Sequence, residues 1–174
     1  MLRWIRFFID LCLLKAAPQE APQSLVMRNL SILAFWSVGV VITLFGQSLL
    51  QSVLLATVQT VLLLFLTQLA LWIRKFPERS VQTITALMGA ETVITLVAIP
   101  VLIWLSDPQT TVQTVLNVVW VLLIAWEAVV TAHILRHALE LPFLAGLGIA
   151  MIFIYMSFAI TLRIMRVMAM PVGS

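Results

Sequence analysis

The amino-acid sequence predicts an all-α fold: a polytopic transmembrane helical bundle of five spans, preceded by an N-terminal amphipathic helix at the membrane interface. Three observations carry this expectation. Of 174 residues, 63% are hydrophobic and only 10% are charged, which is more apolar surface than a water-soluble domain of this size hides. The apolar stretches are Leu-rich and run on for about 20 residues, the length of a helical crossing, without the period-two alternation of barrel strands. In hydrocarbon each backbone N–H and C=O must be bonded within its own segment, which a helix achieves.

Residues 1–17 are read as the interfacial helix. Arg3, Arg6 and Asp10 are three and four positions apart and share one stripe, flanked by Leu2, Trp4, Ile5, Phe8, Ile9, Leu11 and Cys12. The segment is too short, and its charges too central, to cross; it is expected to lie flat with Arg3, Trp4 and Arg6 at the headgroups and an Arg6–Asp10 ion pair. Asp10 and Lys15 interrupt the apolar run that a cleaved signal peptide needs. Residues 18–28 read as an extended linker, since Pro18 and Pro22 each disfavour helix in the residue before.

Residues 29–162 hold the five expected spans, at 29–46, 49–73, 81–105, 112–135 and 143–162, and residues 163–174 form a tail. The breaks are Gly46-Gln47-Ser48, the charged loop 74–80, Ser106-Asp107-Pro108 and the polar connection 136–142. Such short connections join antiparallel neighbours. The run from Leu30 to Ile73 also reads as one long helix, but the Gly46-Gln47-Ser48 break and the bilayer thickness favour two. Under this assignment Arg3, Arg6, Lys15, Arg28, Arg74, Lys75, Arg79 and Arg136 fall on one side, leaving Arg163 and Arg166 on the other; the N-terminus is therefore expected in the cytoplasm. Gly146 and Gly148, with Ala145 and Ala150, give the last span a small-residue face for close packing, internal or between protomers.

Glu91 and Glu127 are the residues that most require explanation. A carboxylate in hydrocarbon costs several kcal/mol unless it is protonated, paired or hydrated. Glu91 lies ten positions from Val81 and Glu127 nine before Arg136, so at 1.5 Å per residue both are roughly 14 Å deep. Two uses fit such a pair: hydrogen bonds that tie helices together, or a proton, cation or lipid-headgroup site that also draws on Thr131, Thr92 or Gln68.

Other chemistry is poorly supplied. A net charge of +3, spread along one membrane edge, suits anionic lipids and not nucleic acid, which needs a clustered basic face with interleaved aromatics. The single Cys12 excludes an internal disulfide framework. His133 and His137 share a helix face but lack the further ligands a metal or haem requires, so neither a metal nor a cofactor is expected. No Gly-x-Ser-x-Gly, His-Glu-x-x-His or Gly-rich phosphate loop occurs, and no enzyme activity is expected.

The basic loop that runs into Arg79-Ser80-Val81-Gln82-Thr83-Ile84-Thr85-Ala86-Leu87, the Trp-bearing helix that ends in His133-Ile134-Leu135-Arg136-His137-Ala138-Leu139, and the closing small-residue helix together resemble the Yip family of small five-span membrane proteins. The resemblance covers most of residues 74–158. It implies a helical membrane module; eukaryotic relatives interact with small GTPases in vesicle traffic and influence membrane shape. Their long hydrophilic N-terminal region has no counterpart here, so GTPase binding is not expected, and the compact layout looks more like the uncharacterised bacterial branch, in the cell inner membrane. The first functional expectation is a non-enzymatic protein acting by association, as a homo-oligomer or as an accessory subunit among membrane lipids and other membrane proteins. The alternative is a small ion- or proton-coupled transporter or channel built on Glu91 and Glu127.

Overall fold

The structure, a computed structural model, describes residues 2–106 and 112–169, without the side chains of Leu2, Arg3 and Ala169. The Arg3 side chain, the Asp107-Pro108 part of the expected turn and the tail beyond Ala169 therefore lie outside the described residues. Within them the chain is all helical: α1 Leu2–Cys12, α2 Leu25–Thr43, α3 Leu49–Ile73, α4 Ser80–Leu105, α5 Gln113–Leu139 and α6 Phe143–Ala169, with 3-10 turns at Pro18–Glu20 and Pro77–Arg79. The last five helices are long and apolar enough to cross a membrane.

The breaks have local causes. The Ser24 hydroxyl accepts from Met27 N and starts α2 four residues earlier than expected. Ser48 and Gln51 form a capping box at the start of α3, which settles the division of the 30–73 run into two helices. α5 continues to Leu139, where Glu140 adopts a left-handed φ of 53° and ends it. Its last carbonyls are satisfied from outside: Arg74 Nε donates to Leu139 O (3.2 Å) and Arg79 Nη1 to Ala138 O (3.3 Å), while Arg79 Nη2 pairs with Glu140 at 2.6 Å. At the other end of the chain α6 runs past Leu162 to Ala169, so Arg163 and Arg166 belong to its final turns and not to a separate tail.

α4 is the hub, packed against α1, α2, α3 and α5, while α6 packs on α5 and α3. Every residue from Thr83 to Glu91 is buried, as is every residue from Val130 to Leu135. A helix buried all round needs cover on every side, and part of that cover comes from α1 and the segment after it. The Phe8 ring lies directly on Gly89, where a Cβ would overlap it. Leu11 and Cys12 sit in the main core at 0% and 2% exposure. Beyond Cys12 the chain runs along α4 and α5, held through its backbone. Trp126 Nε1 donates to Cys12 O (2.9 Å), His133 Nε2 to Ala16 O (3.0 Å), and Gln82 Nε2 to Gln19 O and Ala21 O (2.7 and 2.8 Å). In return Gln19 Nε2 donates to His137 O at 2.7 Å. The expected helix lying on the headgroups is thus also a packed part of the bundle. The linker from 18 onward is a turn and a bonded strap as far as Ser24. Non-helical backbone has carbonyls free to accept, and α4 and α5 aim side-chain donors at them.

In the opposite half α5 is mostly exposed from Gln113 to Ala125, and α4 is exposed at five of its ten positions from Leu96 to Leu105. Packing is dense at the strapped half and loose at the other, and the site lies where the two meet.

Candidate functional site

Glu127 and Thr131 are four residues apart on α5 and so project from one face. That face is turned toward α4, where Thr131 Oγ1 donates a 2.8 Å hydrogen bond to Glu91 Oε1. Glu127 lines the same cavity as Glu91. Glu91 is 8% exposed and Glu127 half-buried. Thr131 is thus the hydroxyl donor to Glu91, and Glu127 lies one helical turn from it on α5.

Both carboxyls border a cavity of about 740 Å³. Each helix presents a stripe at helical spacing: Glu91, Thr95 and Ala98 from α4; Trp120, Glu127 and Thr131 from α5; Phe35 and Gly39 from α2; Ala56 and Gln59 from α3; Phe153 and Ser157 from α6. None of the described residues lining the chamber is Lys, Arg or His, so its ionisable character is wholly acidic. The chamber is open to one side, since Tyr155 and Phe158 line it and are also 71% and 63% exposed. Among the described residues none bonds to the Tyr155 hydroxyl, although its place in a span leads one to expect a partner.

Of the remaining expected residues, Thr92 is off the wall: its hydroxyl is turned back to Met88 O at 2.7 Å on its own helix. Gln68 is exposed and donates to Ser80 Oγ at 2.6 Å beside the 74–80 loop. The amide that does serve the chamber is Gln59, whose Nε2 donates to Ser157 O (3.0 Å) and to Thr161 Oγ1, tying α3 to α6. Helical geometry shows why the two differ. Nine residues at about 100° each place Gln59 and Gln68 on opposite faces of α3, so only one can point inward. Leu55, Ala56, Gln59 and Leu63 share the inward face, but α3 is apolar on nearly every side, so the sequence did not show which amide points inward.

The small-residue face of α6 is used internally. A Cβ at Gly146 would meet Ala132 O at 2.7 Å and Arg136 Cβ at 3.2 Å on α5, and Ala150 is fully buried. Ala145 is half-buried, and Gly148 is exposed with nothing within 4 Å of an added Cβ. Toward the N-terminus, Trp4 is half-buried and Arg6 reaches Asp10 at 3.9 Å with 85% of its side chain exposed. The His133 and His137 rings meet edge to face at 4.7 Å. Among the described residues no group of three His, Cys, Asp or Glu is placed to hold a metal ion.

Chemically, two carboxyls, a hydroxyl donor and an acidic-only chamber suit the exchange of a proton against a cation. No family model, no curated protein and no solved structure matches the chain.

Proposed function

We propose that this chain is a non-enzymatic integral membrane protein that binds a proton or cation at Glu91 and Glu127 and carries it through the chamber they head, as a small ion- or proton-coupled transporter. The observation that carries this reading is the Glu91–Thr131 hydrogen bond with Glu127 one turn away on the same face. A pair that only tied helices together would not need to border a 740 Å³ cavity. We place the chain in the cell inner membrane with its N-terminus in the cytoplasm, supported by the eight-to-two division of Lys and Arg.

In proteoliposomes carrying a pH-sensitive dye, a cation gradient should drive proton movement in the wild-type protein. Glu91→Gln and Glu127→Gln, which keep side-chain shape, should each abolish it. Flux that survives both substitutions removes the carboxyls from the mechanism.

A second reading, action by association, is favoured by one observation. Gly148 leaves a notch on α6, between Leu144 at 79% and Ile152 at 55% exposure, into which a bulky side chain of another membrane helix fits. Yip-like kinship would accord with that mode. A Gly148→Leu change that leaves the native mass in detergent unaltered would count against it.

A further inference from the structure

We infer that the natural occupant of the chamber is a lipophilic monocation, a positively charged amine or onium group on a drug-sized apolar body, with its charge at Glu91 and Glu127. This deepens the proposed transport reading and rests on it.

Three features select this class. The wall is overwhelmingly apolar, and Glu91 and Glu127 are its only Asp, Glu, Lys, Arg or His among the described residues; a small hydrated ion gains nothing from such a wall, whereas an apolar body does. Five aromatic side chains, Phe35, Trp120, Phe153, Tyr155 and Phe158, line the space. Aromatic faces attract a cation by about 0.5–2 kcal/mol each, most strongly when it is desolvated. A volume of about 740 Å³ falls in the range of small-molecule sites, roughly 300–1,000 Å³. The opening beside Tyr155 and Phe158 is on the flank of the bundle, where a membrane-dissolved molecule arrives, and not at a helix end. A fatty-acid or phosphate-bearing lipid fits less well, because an anionic head would face two acidic groups and no base.

The test is equilibrium dialysis of purified protein in detergent against radiolabelled tetraphenylphosphonium, triphenylphosphine oxide and tetramethylammonium, alongside the proton-flux assay. Tetraphenylphosphonium should bind saturably at one site per chain, and more weakly as pH falls, because protons compete for the carboxyls. The neutral phosphine oxide and the small tetramethylammonium should each bind at least tenfold more weakly. Glu127→Gln and Glu91→Gln should weaken tetraphenylphosphonium binding at least tenfold, and Trp120→Ala severalfold. Equal binding of the phosphine oxide would identify a neutral-lipid slot and overturn the inference, as would binding unchanged in the Gln variants. Carboxyl-dependent proton flux without tetraphenylphosphonium binding would sink this inference while leaving the transport reading intact. Absence of flux in the presence of carboxyl-dependent tetraphenylphosphonium binding would sink the transport reading instead.

Discussion

Gly89→Ala tests the docking of α1 at a single atom. The added Cβ would lie within the Phe8 ring, and a ring on a packed helix cannot yield as the tip of a flexible chain does. Overpacking of this kind costs about 1–3 kcal/mol. Ala also favours helix over Gly by about 1 kcal/mol, but α4 is helical whether α1 is docked or not, so that gain cancels in the docking equilibrium. At about 1.4 kcal/mol per factor of ten, opening should rise roughly 5- to 150-fold. Cys12 reports it directly, being 2% exposed and the only cysteine in the sequence, so a maleimide reacts with it when α1 lifts away. Labelling of Gly89→Ala should be faster by that factor. In a Phe8→Ala background, where the ring is gone, adding Gly89→Ala should change the rate less than about twofold. An unchanged rate in the single variant, or an undiminished effect in the double, would refute the packing argument.

Two further outcomes follow from the same geometry. Burial, and then the charge of Glu91, push the Cys12 thiol from its ordinary 9.0 up to about 12. The neutral thiol is thus favoured in the folded state, and its contribution is complete below pH 9 and is lost as pH rises from 9 through 12. Comparing Cys12→Ala with wild type in alkaline thermal melts should show the variant losing less stability over that window; identical slopes would contradict it. Gln59→Leu should lower thermal stability by about 0.5–1.5 kcal/mol, since the tie from α3 to Ser157 O and Thr161 is lost while Thr161 Oγ1 still donates to Ser157 O. Gln68→Leu, at an exposed pair, should cost less than about 1 kcal/mol; the reverse order in melts would overturn the facing assigned to α3.

The helical class, the five long helices and the similar depth of Glu91 and Glu127, which border one cavity, were legible because each rests on one-dimensional facts: apolar run length, short polar breaks and residue counts from the helix ends. Thr131 was legible too, one turn from Glu127. Facing was harder. Gln68 and Thr92 are polar residues near the right depth but at the wrong angle, and α3 is apolar on nearly all sides, so hydrophobic patterning does not orient it. Gly89 and the strap after Cys12 were not legible. A lone glycine in a Leu-rich helix gives no sign that an aromatic ring covers it, and the strap is held by its backbone carbonyls, which every sequence possesses. The chamber itself exists because the helices spread beyond Glu91, a property of tertiary packing and not of any one segment.

The most direct test of the central claim is a cross-link between the two acidic positions. With Cys12→Ala as background, Glu91→Cys combined with Glu127→Cys should be joined within one chain by a short bifunctional thiol reagent in native membranes, and Thr92→Cys combined with Glu127→Cys should not. If the 91–127 pair stays unlinked while both cysteines remain reactive, or if the 92–127 pair links as readily, Glu91 and Glu127 do not face one chamber.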